Sequence, residues 1–238
     1  MSQAAQSGPL PFRPVWPDLV IFDCDGVLVD SERLTVDVEA RVLTELGWPI
    51  TTDEVGERFV GRSSASMLAE VERRLGRELT EQFDATSTIE IRSAFETRLE
   101  AVEGIADLLD AIDAAGVPTC VASSGSHDKM RATLGITGLW DRFDDRIFSA
   151  DEVAHGKPAP DLFVHAAARM DVDPAGCAVV EDSPFGVQAA IAAGMTAYGF
   201  TSGLAADGAL EAAGAIPFAK MSDLVDLLAA PRPPRVER

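Results

Sequence analysis

The sequence has few basic residues, few cysteines and no long apolar run. Its 20 lysines and arginines stand against 39 aspartates and glutamates, which gives a formal net charge of −19. A surface this negative repels phosphate backbones, so we expect no nucleic-acid partner. No apolar run approaches the ~18 residues that span a bilayer, so we expect no membrane partner either.

The three cysteines, Cys24, Cys120 and Cys177, are far apart and form no CxxC pair. Two of them, Cys120 and Cys177, lie in apolar strand-like runs, which predicts reduced and buried thiols. Reduced thiols favour a cytoplasmic location over a secreted one. Residues 1–17 lack the features of a signal peptide and are predicted to form a flexible leader. The proline-rich segment 231–238 is predicted to form a flexible tail.

Short apolar runs that end in polar residues alternate with helical patterns along much of the chain. The predicted strands are 18–23, 117–123, 146–149, 177–182 and 196–200. The predicted helices that separate or follow them are 105–115, 160–170, 183–193 and a last helix after Ser222. Continuous apolar runs are typical of strands buried on both faces. Their alternation with helices predicts an α/β fold with a doubly wound parallel sheet.

One segment interrupts this alternation. Residues 31–100 contain helical patterns and no convincing strand. One helical pattern is closed by Gly47 and another by Gly76. We interpret the segment as an inserted helical module, with the core domain formed by residues 18–30 and 101–230.

Acidic side chains follow two of the predicted strands. Asp23 and Asp25 come at the end of the first strand, and Glu181 and Asp182 at the end of the fourth. The carboxyl ends of parallel strands meet at one edge of a sheet, where ligands bind. Four carboxylates gathered there repel one another unless a cation neutralises them. Mg²⁺ prefers such oxygen ligands, so the sequence predicts a Mg²⁺ cofactor at this edge.

Two further residues add to this edge. Lys157 supplies a positive charge, and a serine hydroxyl at the end of the second strand can donate to a phosphoryl oxygen. Ser123 is preferred over Ser124 because it directly follows the apolar run. Nucleophile, metal, lysine and hydroxyl donor together indicate phosphoryl transfer. A GxxxxGKS/T loop is absent, so nucleotide binding of the P-loop kind is not indicated.

Four motifs in this order resemble those of the haloacid dehalogenase (HAD) superfamily. They are FDCDGVLVDSE (22–32), VASSGS (121–126), GKPAPD (156–161) and VVEDSPFG (179–186). The helical insertion directly after the first motif is similar to the cap domain of the beta-phosphoglucomutase-like subgroup. The resemblance covers Leu19 to about Phe200 and implies a Rossmann-like core with a cap formed by 31–100.

The resemblance also implies a role for each matching residue. Asp23 would be the nucleophile that forms an aspartyl-phosphate, and Asp25 the general acid and base. Ser123 and Lys157 would bind the phosphoryl group. Mg²⁺ would be held by these acidic residues: Asp23, the main-chain carbonyl of Asp25, Asp182, and Glu181 either directly or through water.

The cap departs from the pattern of the mutases in this subgroup. Their cap histidine corresponds to Thr35 here, and their cap-loop arginine aligns with Ser64. Without those two groups, release of phosphate to water is favoured over its return to a sugar. The predicted substrate contacts are Ser31, Arg62, Ser63 and Ser124.

The resulting hypothesis is a Mg²⁺-dependent phosphatase that acts on a small phosphorylated metabolite as a monomer or weak dimer. The resemblance implies that this metabolite is a sugar or polyol phosphate. Three alternatives stay open. The first is a sugar-phosphate mutase. The second is a receiver-type signalling domain, although receivers carry the acid pair before the acceptor aspartate, the reverse of the order here. The third is a binding or regulatory protein that keeps the fold without turnover.

Overall fold

A computed structural model describes residues 15–59, 64–78, 82–201 and 204–230. Six parallel strands form one sheet in the order β3-β2-β1-β4-β5-β6. They are β1 (Leu19–Phe22), β2 (Thr119–Ser123), β3 (Ile147–Ser149), β4 (Cys177–Glu181), β5 (Thr196–Phe200) and β6 (Ile216–Phe218). Strands β2 and β3 follow on one side of β1, whereas β4, β5 and β6 follow on the other side. The boundary between β1 and β4 is therefore the switch point where α/β sheets bind ligands.

Helices cover both faces of the sheet. Those outside the insertion are α5 (Ile105–Ala114), α6 (His127–Ile136), α7 (Trp140–Phe143), α8 (Asp161–Arg169), α9 (Pro184–Ala192), α10 (Ala209–Ala213) and α11 (Met221–Ala229). Side chains of β1 alternate between the two faces. Val20 and Phe22 join one buried cluster, and Leu19 and Ile21 join the other. Burial of each such side chain contributes about 1.5–3 kcal/mol.

The predicted doubly wound parallel sheet is confirmed, and each of the five predicted strands begins and ends within two residues of the observed one. The sixth strand, β6, was not predicted. It is three residues long and lies at the edge of the sheet, and its Pro217 is exposed. Proline is tolerated at such an edge because no ladder hydrogen bond is lost there. Because β6 is so short and has a proline at its centre, the sequence shows no apolar run that would predict a strand there.

Four helices follow β1: α1 (Ser31–Glu45), α2 (Thr52–Phe59), α3 (Ser64–Leu75) and α4 (Gln82–Arg98). They enclose a buried cluster of their own, separate from the two clusters beside the sheet. Trp48 and Phe59 meet edge to face in it, with ring centroids 6.0 Å apart. No strand occurs within the described residues of 31–98.

The chain enters and leaves this helical unit at one place. Val29 forms an antiparallel bridge with Ala101, and the Asp30 amide donates to the Glu100 carbonyl at 3.0 Å. Two adjacent backbone segments therefore join the helical unit to the sheet.

The predicted leader lies outside the described residues as far as residue 14, and its last residues are packed. The Val15 amide donates to the Ala229 carbonyl at 3.1 Å, and Trp16 packs against the core. The predicted tail, 231–238, lies outside the described residues. All three cysteines are free and buried, as predicted. In the part of the chain that is described, every helix is too short or too polar to cross a membrane.

Candidate active site

A cavity of about 690 Å³ lies between the carboxyl ends of β1, β2 and β4 and the helical unit. Most of the acidic, lysine and serine side chains predicted from the sequence line it. They are Asp23, Asp25, Ser31, Ser123, Ser124, Lys157, Glu181 and Asp182. The structure thus brings together residues up to 159 positions apart, as the parallel topology requires. Arg62 and Ser63, the other predicted substrate contacts, lie outside the described residues.

Lys157 connects the two acidic strand ends. Its Nζ donates to Oδ1 of Asp23 at 2.5 Å, to Oε1 of Glu181 at 2.6 Å and to the Ala122 carbonyl at 3.1 Å. All three side chains are almost completely buried. Burial favours the neutral amine, but the two carboxylates outweigh it and raise the pKa of Lys157. The lysine therefore stays charged and fixes the position of the Asp23 carboxylate.

Asp25 is held by two donors from different parts of the chain. Ser31 Oγ donates to its Oδ1 at 2.6 Å, and Lys129 Nζ to its Oδ2 at 2.7 Å. Ser31 is the first residue of α1, so one bond reaches Asp25 from the helical unit. Lys129 lies in the first turn of α6, and the sequence analysis did not identify it. Together the two donors fix the position of the Asp25 carboxylate.

Asp182 and Glu32 form an acidic pair beside this group, and their side chains are close enough for each to affect the pKa of the other. Asp182 approaches the backbone at Gly26, where a Cβ atom would lie 2.0 Å from Asp182 Oδ2. Gly26 also has a φ of +77°, which disfavours any other residue. The absence of a side chain at Gly26 therefore allows the Asp182 carboxylate to lie close to the backbone.

Crowding of these acids opposes their ionisation. Burial, with the charges of Glu181 and Asp25, raises the pKa of Asp23 to about 7 against the lowering effect of Lys157. Burial and the charge of Asp25 raise the pKa of Glu32 to about 7. Burial and the charges of Glu32 and Glu181 raise the pKa of Asp182 well above its usual range. The site therefore holds more buried negative charge than its lysines neutralise.

This donor set fits a small hard cation. Asp23 and Asp182 present carboxylate oxygens to the same cavity, and no cationic side chain pairs with Asp182 within the described residues. The described chain holds no cage of three or more acidic, histidine or cysteine side chains. Mg²⁺ does not need such a cage, because it is bound through one or two carboxylates and retains water molecules or phosphate oxygens.

Glu181 is already bonded through both oxygens. Oε1 accepts from Lys157, and Oε2 accepts from the amides of Asp182 and Ser183 and from Ser183 Oγ, at 2.9–3.1 Å. Gly186 permits this packing, because a Cβ atom there would lie 1.7 Å from Glu181 Oε1. These bonds hold Glu181 beside Lys157, and they favour contact with a metal through water over direct ligation.

Ser183 directly precedes α9 and is its N-cap residue. Its Oγ accepts from the Gly186 amide at 3.0 Å, so it caps the helix. We expect Ser183→Ala to lose about 1 kcal/mol of stability, which is a fall in Tm of about 2–4 °C by thermal unfolding. Ser222→Ala removes an exposed hydroxyl that caps no helix, and should leave Tm within about 1 °C. Equal Tm values for the two variants would contradict the capping role.

Ser123 and Ser124 differ in exposure. Ser123 is buried, and its Oγ accepts from the Gly125 amide at 3.1 Å, which leaves its hydroxyl hydrogen for another acceptor. Ser124 is exposed and also lines the cavity. The preference for Ser123 as the phosphoryl donor is consistent with its fixed position.

Several lining residues escaped the sequence analysis. Lys129 is one, and Glu32, Val36 and Glu39 are others. These three residues of α1 share one face of the helix with Thr35, at spacings of three or four residues. Because such residues are neighbours on a helix, a polar face starting at Ser31 was a signal that could have identified them.

Comparison with known proteins places this site in a family. The model of the haloacid dehalogenase-like hydrolases matches residues 17–194. The 6-phosphogluconate phosphatase of Escherichia coli is 35% identical over 184 residues, which cover 77% of this chain and 82% of the relative. Hexitol phosphatase A of the same organism is 32% identical over 185 residues, which cover 73% and 78%.

A solved HAD family hydrolase from Deinococcus radiodurans, with bound phosphate and sodium, superposes with a TM-score of 0.79 at 31% identity. The match covers 90% of this chain and 98% of that one. The resemblance inferred from the four motifs is thereby confirmed, as is the expectation of an enzyme of the phosphatase class. The chain belongs to the haloacid dehalogenase-like hydrolases.

Proposed function

We propose that the protein is a Mg²⁺-dependent phosphomonoester hydrolase that acts on a small sugar or polyol phosphate through an aspartyl-phosphate. The observation that carries this proposal is the bond from buried Lys157 to Asp23 at the floor of the cavity, with Asp25 beside it. The names of relatives that act on phosphorylated sugars support the substrate class. Residues 31–100 would serve as the cap. The three cysteines are free thiols, which supports a cytoplasmic location.

In the first step, an oxygen of Asp23 attacks the phosphorus atom. A new bond forms between that oxygen and phosphorus, and the bond from phosphorus to the ester oxygen breaks. Lys157 holds Asp23 in position and offers its charge to the phosphoryl oxygens. The Ser123 hydroxyl donates to another of these oxygens. Dividing the hydrolysis into two displacements replaces one very slow reaction by two faster ones.

Asp25 moves the proton in each step. It protonates the departing alcohol oxygen, and then accepts a proton from the water that attacks the aspartyl-phosphate and releases inorganic phosphate. The bonds from Ser31 and Lys129 hold the Asp25 side chain in place for both transfers.

The residues that would hold Mg²⁺ are Asp23, the main-chain carbonyl of Asp25, and Asp182, with Glu181 acting through Lys157 or a water molecule. When bound, the ion would screen the repulsion between the phosphoryl oxygens and the surrounding carboxylates. α1 and its neighbours cover the site from the other side, which limits the access of water during the first transfer.

Hydrolysis is preferred over phosphate return because Thr35 carries no proton-transferring imidazole. Its hydroxyl donates to the Ser31 carbonyl at 2.9 Å within α1. The mutase alternative requires a group that can hold and protonate a second phosphorylated intermediate, and the described cap residues that line the cavity include no histidine.

A metabolite panel tests the proposed function. The compounds are glucitol 6-phosphate, glucose 6-phosphate, glycerol 3-phosphate, 6-phosphogluconate and β-glucose 1-phosphate, assayed with Mg²⁺ for released phosphate. We expect release of phosphate from at least one of them, with kcat/KM above about 10⁴ M⁻¹s⁻¹. Conversion of glucose 1-phosphate to glucose 6-phosphate without free phosphate would establish the mutase instead. Stable phosphorylation of the protein without turnover would establish the receiver-type alternative.

A further inference from the structure

Glu39 is a carboxylate that the proposed mechanism does not use. It lies on α1 in line with Ser31 and Thr35, at a spacing of four residues, so all three share one face of the helix. Its side chain lines the same cavity as Asp23 and Asp25. Ser31 bonds Asp25, and eight residues of helix place Glu39 about 12 Å farther along the axis. Glu39 therefore faces the part of the cavity remote from the phosphoryl site.

Glu39 makes no contact through which its carboxylate would stabilise the folded protein. It is partly buried, and within the described part of the chain its carboxylate makes no hydrogen bond or ion pair. Ser31 and Glu32 contact the acids of the phosphoryl end, and the other described cap residues of the cavity wall are Thr35, Val36, Phe59 and Met67, which carry no charge. Burial alone raises the pKa of Glu39 to about 7. A carboxylate placed there costs folding free energy unless a ligand supplies its partner.

Both described cations of the cavity are already engaged at its other end. Lys129 pairs with Asp25, and Lys157 pairs with Asp23 and Glu181. The remote part of the cavity therefore offers a hydrogen-bond acceptor, Glu39, and a hydroxyl, Thr35, beside apolar side chains. Hydroxyl groups of a substrate can donate to Glu39, whereas a second carboxylate would be repelled by it.

We propose that Glu39 selects phosphate esters whose remote end carries hydroxyl groups and discriminates against those whose remote end is a carboxylate. This inference rests on the proposed phosphatase function and narrows its substrate class to aldose and alditol phosphates. It separates this protein from the activity named in the 6-phosphogluconate phosphatase and favours the kind named in hexitol phosphatase A.

Glucitol 6-phosphate and 6-phosphogluconate test the proposal, because they differ only at the carbon remote from the phosphate, a hydroxymethyl in one and a carboxylate in the other. At pH 8.5 Glu39 is ionised. There we expect kcat/KM of the wild type to favour glucitol 6-phosphate by at least about tenfold, the low end of a like-charge penalty. Glu39→Gln should reduce this ratio to about twofold or less, mainly by a gain on 6-phosphogluconate.

Glu45→Gln is the matched control. Glu45 belongs to the same helix, but it is exposed and lies outside the cavity, so its loss removes the same charge at a distance. We expect this variant to keep the wild-type ratio. The Tm of Glu39→Gln should equal or exceed that of the wild type, because no stabilising partner is lost. A lower Tm together with an unchanged ratio would assign Glu39 a structural role and overturn the proposal.

Measuring the binding of the two compounds tests the role of Glu39 independently of the proposed hydrolysis. Calorimetric titration of the same two compounds into Asp23→Asn, with and without Glu39→Gln, measures the preference without turnover. A binding preference that depends on Glu39 supports the inference even if the wild type releases no phosphate, in which case the proposed hydrolysis alone is wrong. No difference between the two compounds in either turnover or binding overturns the inference.

Discussion

Replacement of Asp23 by asparagine is expected to lower kcat by at least about 10⁴-fold, the effect of removing a nucleophile from a covalent mechanism. The amide is nearly the same size as the carboxylate, but it cannot form an acyl phosphate. Lys157 keeps its bonds to Glu181 and to the Ala122 carbonyl, so the variant should retain its fold. Steady-state release of phosphate measures the loss.

The control for this experiment is Asp18→Asn. Asp18 is an exposed residue that precedes β1, at the end of the strand opposite to Asp23, so the same chemical change is made away from the cavity. We expect wild-type activity from it. Mass spectrometry after rapid quenching should find one phosphoryl group on the wild-type peptide that contains Asp23 and none on the variant. A phosphorylated peptide elsewhere, or an Asp23→Asn variant with near wild-type kcat, would exclude Asp23 as the nucleophile.

The sequence predicted the sheet well because its strands are buried on both faces. β1 and β4 read as continuous apolar runs, and their polar endings mark the edge where the site forms. Parallel pairing then brings Asp23, Lys157 and Asp182 together whatever their separation along the chain. That inference needs only the direction of the strands, so it did not depend on exact boundaries.

The contacts that escaped prediction depend on the docking of helices. Lys129 reaches Asp25 only because α6 packs beside β2 and β3, and nothing in the local sequence distinguishes it from an exposed lysine. Glu32 faces Asp182, and Glu39 faces the cavity, because of the rotation of α1 about its axis. The sequence pattern gives the period of a helix but leaves open which face meets the site when that helix stands in a separate unit.

The sequence also could not predict how many hydrogen bonds each acidic side chain of the site accepts. The motif VVEDSPFG presents Glu181 and Asp182 as equivalent carboxylates. The structure separates them: Glu181 receives four donors, counting Lys157, two amides and the Ser183 hydroxyl, whereas Asp182 meets another acid, Glu32. Glu181 is the last residue of β4 and Asp182 directly follows it. Adjacent residues of an extended backbone point to opposite sides, so their surroundings differ even though their chemistry is the same.

Removal of divalent metal is the second large effect that we expect. In EDTA, phosphate release should fall by at least about 10³-fold, which corresponds to several kcal/mol of lost transition-state stabilisation. The excess of buried negative charge is the structural reason. Lys157 is shared between Asp23 and Glu181, Lys129 pairs with Asp25, and no cationic side chain pairs with Asp182 within the described residues. Readdition of Mg²⁺ should restore the rate. Equal rates with and without EDTA would contradict metal dependence.

Thermal unfolding provides a readout that does not need a substrate. At a Mg²⁺ concentration one hundred times Kd, binding to the folded state should stabilise the wild type by about 2.7 kcal/mol, or roughly 5–10 °C in Tm. Asp182→Asn should abolish that increase. In EDTA the same variant should be more stable than the wild type, because it removes one of the acids whose pKa is raised by its neighbours.

The Tm changes of Asp182→Asn with Mg²⁺ and in EDTA have opposite signs, and this distinguishes a metal ligand from a residue that stabilises the fold. A structural Asp182 would lower Tm in both conditions when replaced, whereas a ligand kept at a cost to the fold lowers it only when the metal is present. Asp18→Asn, which removes a charge from the other end of β1, should keep the wild-type increase with Mg²⁺. If Asp182→Asn retained that increase, the cation would have to be held by other groups and the assignment of Asp182 would be wrong.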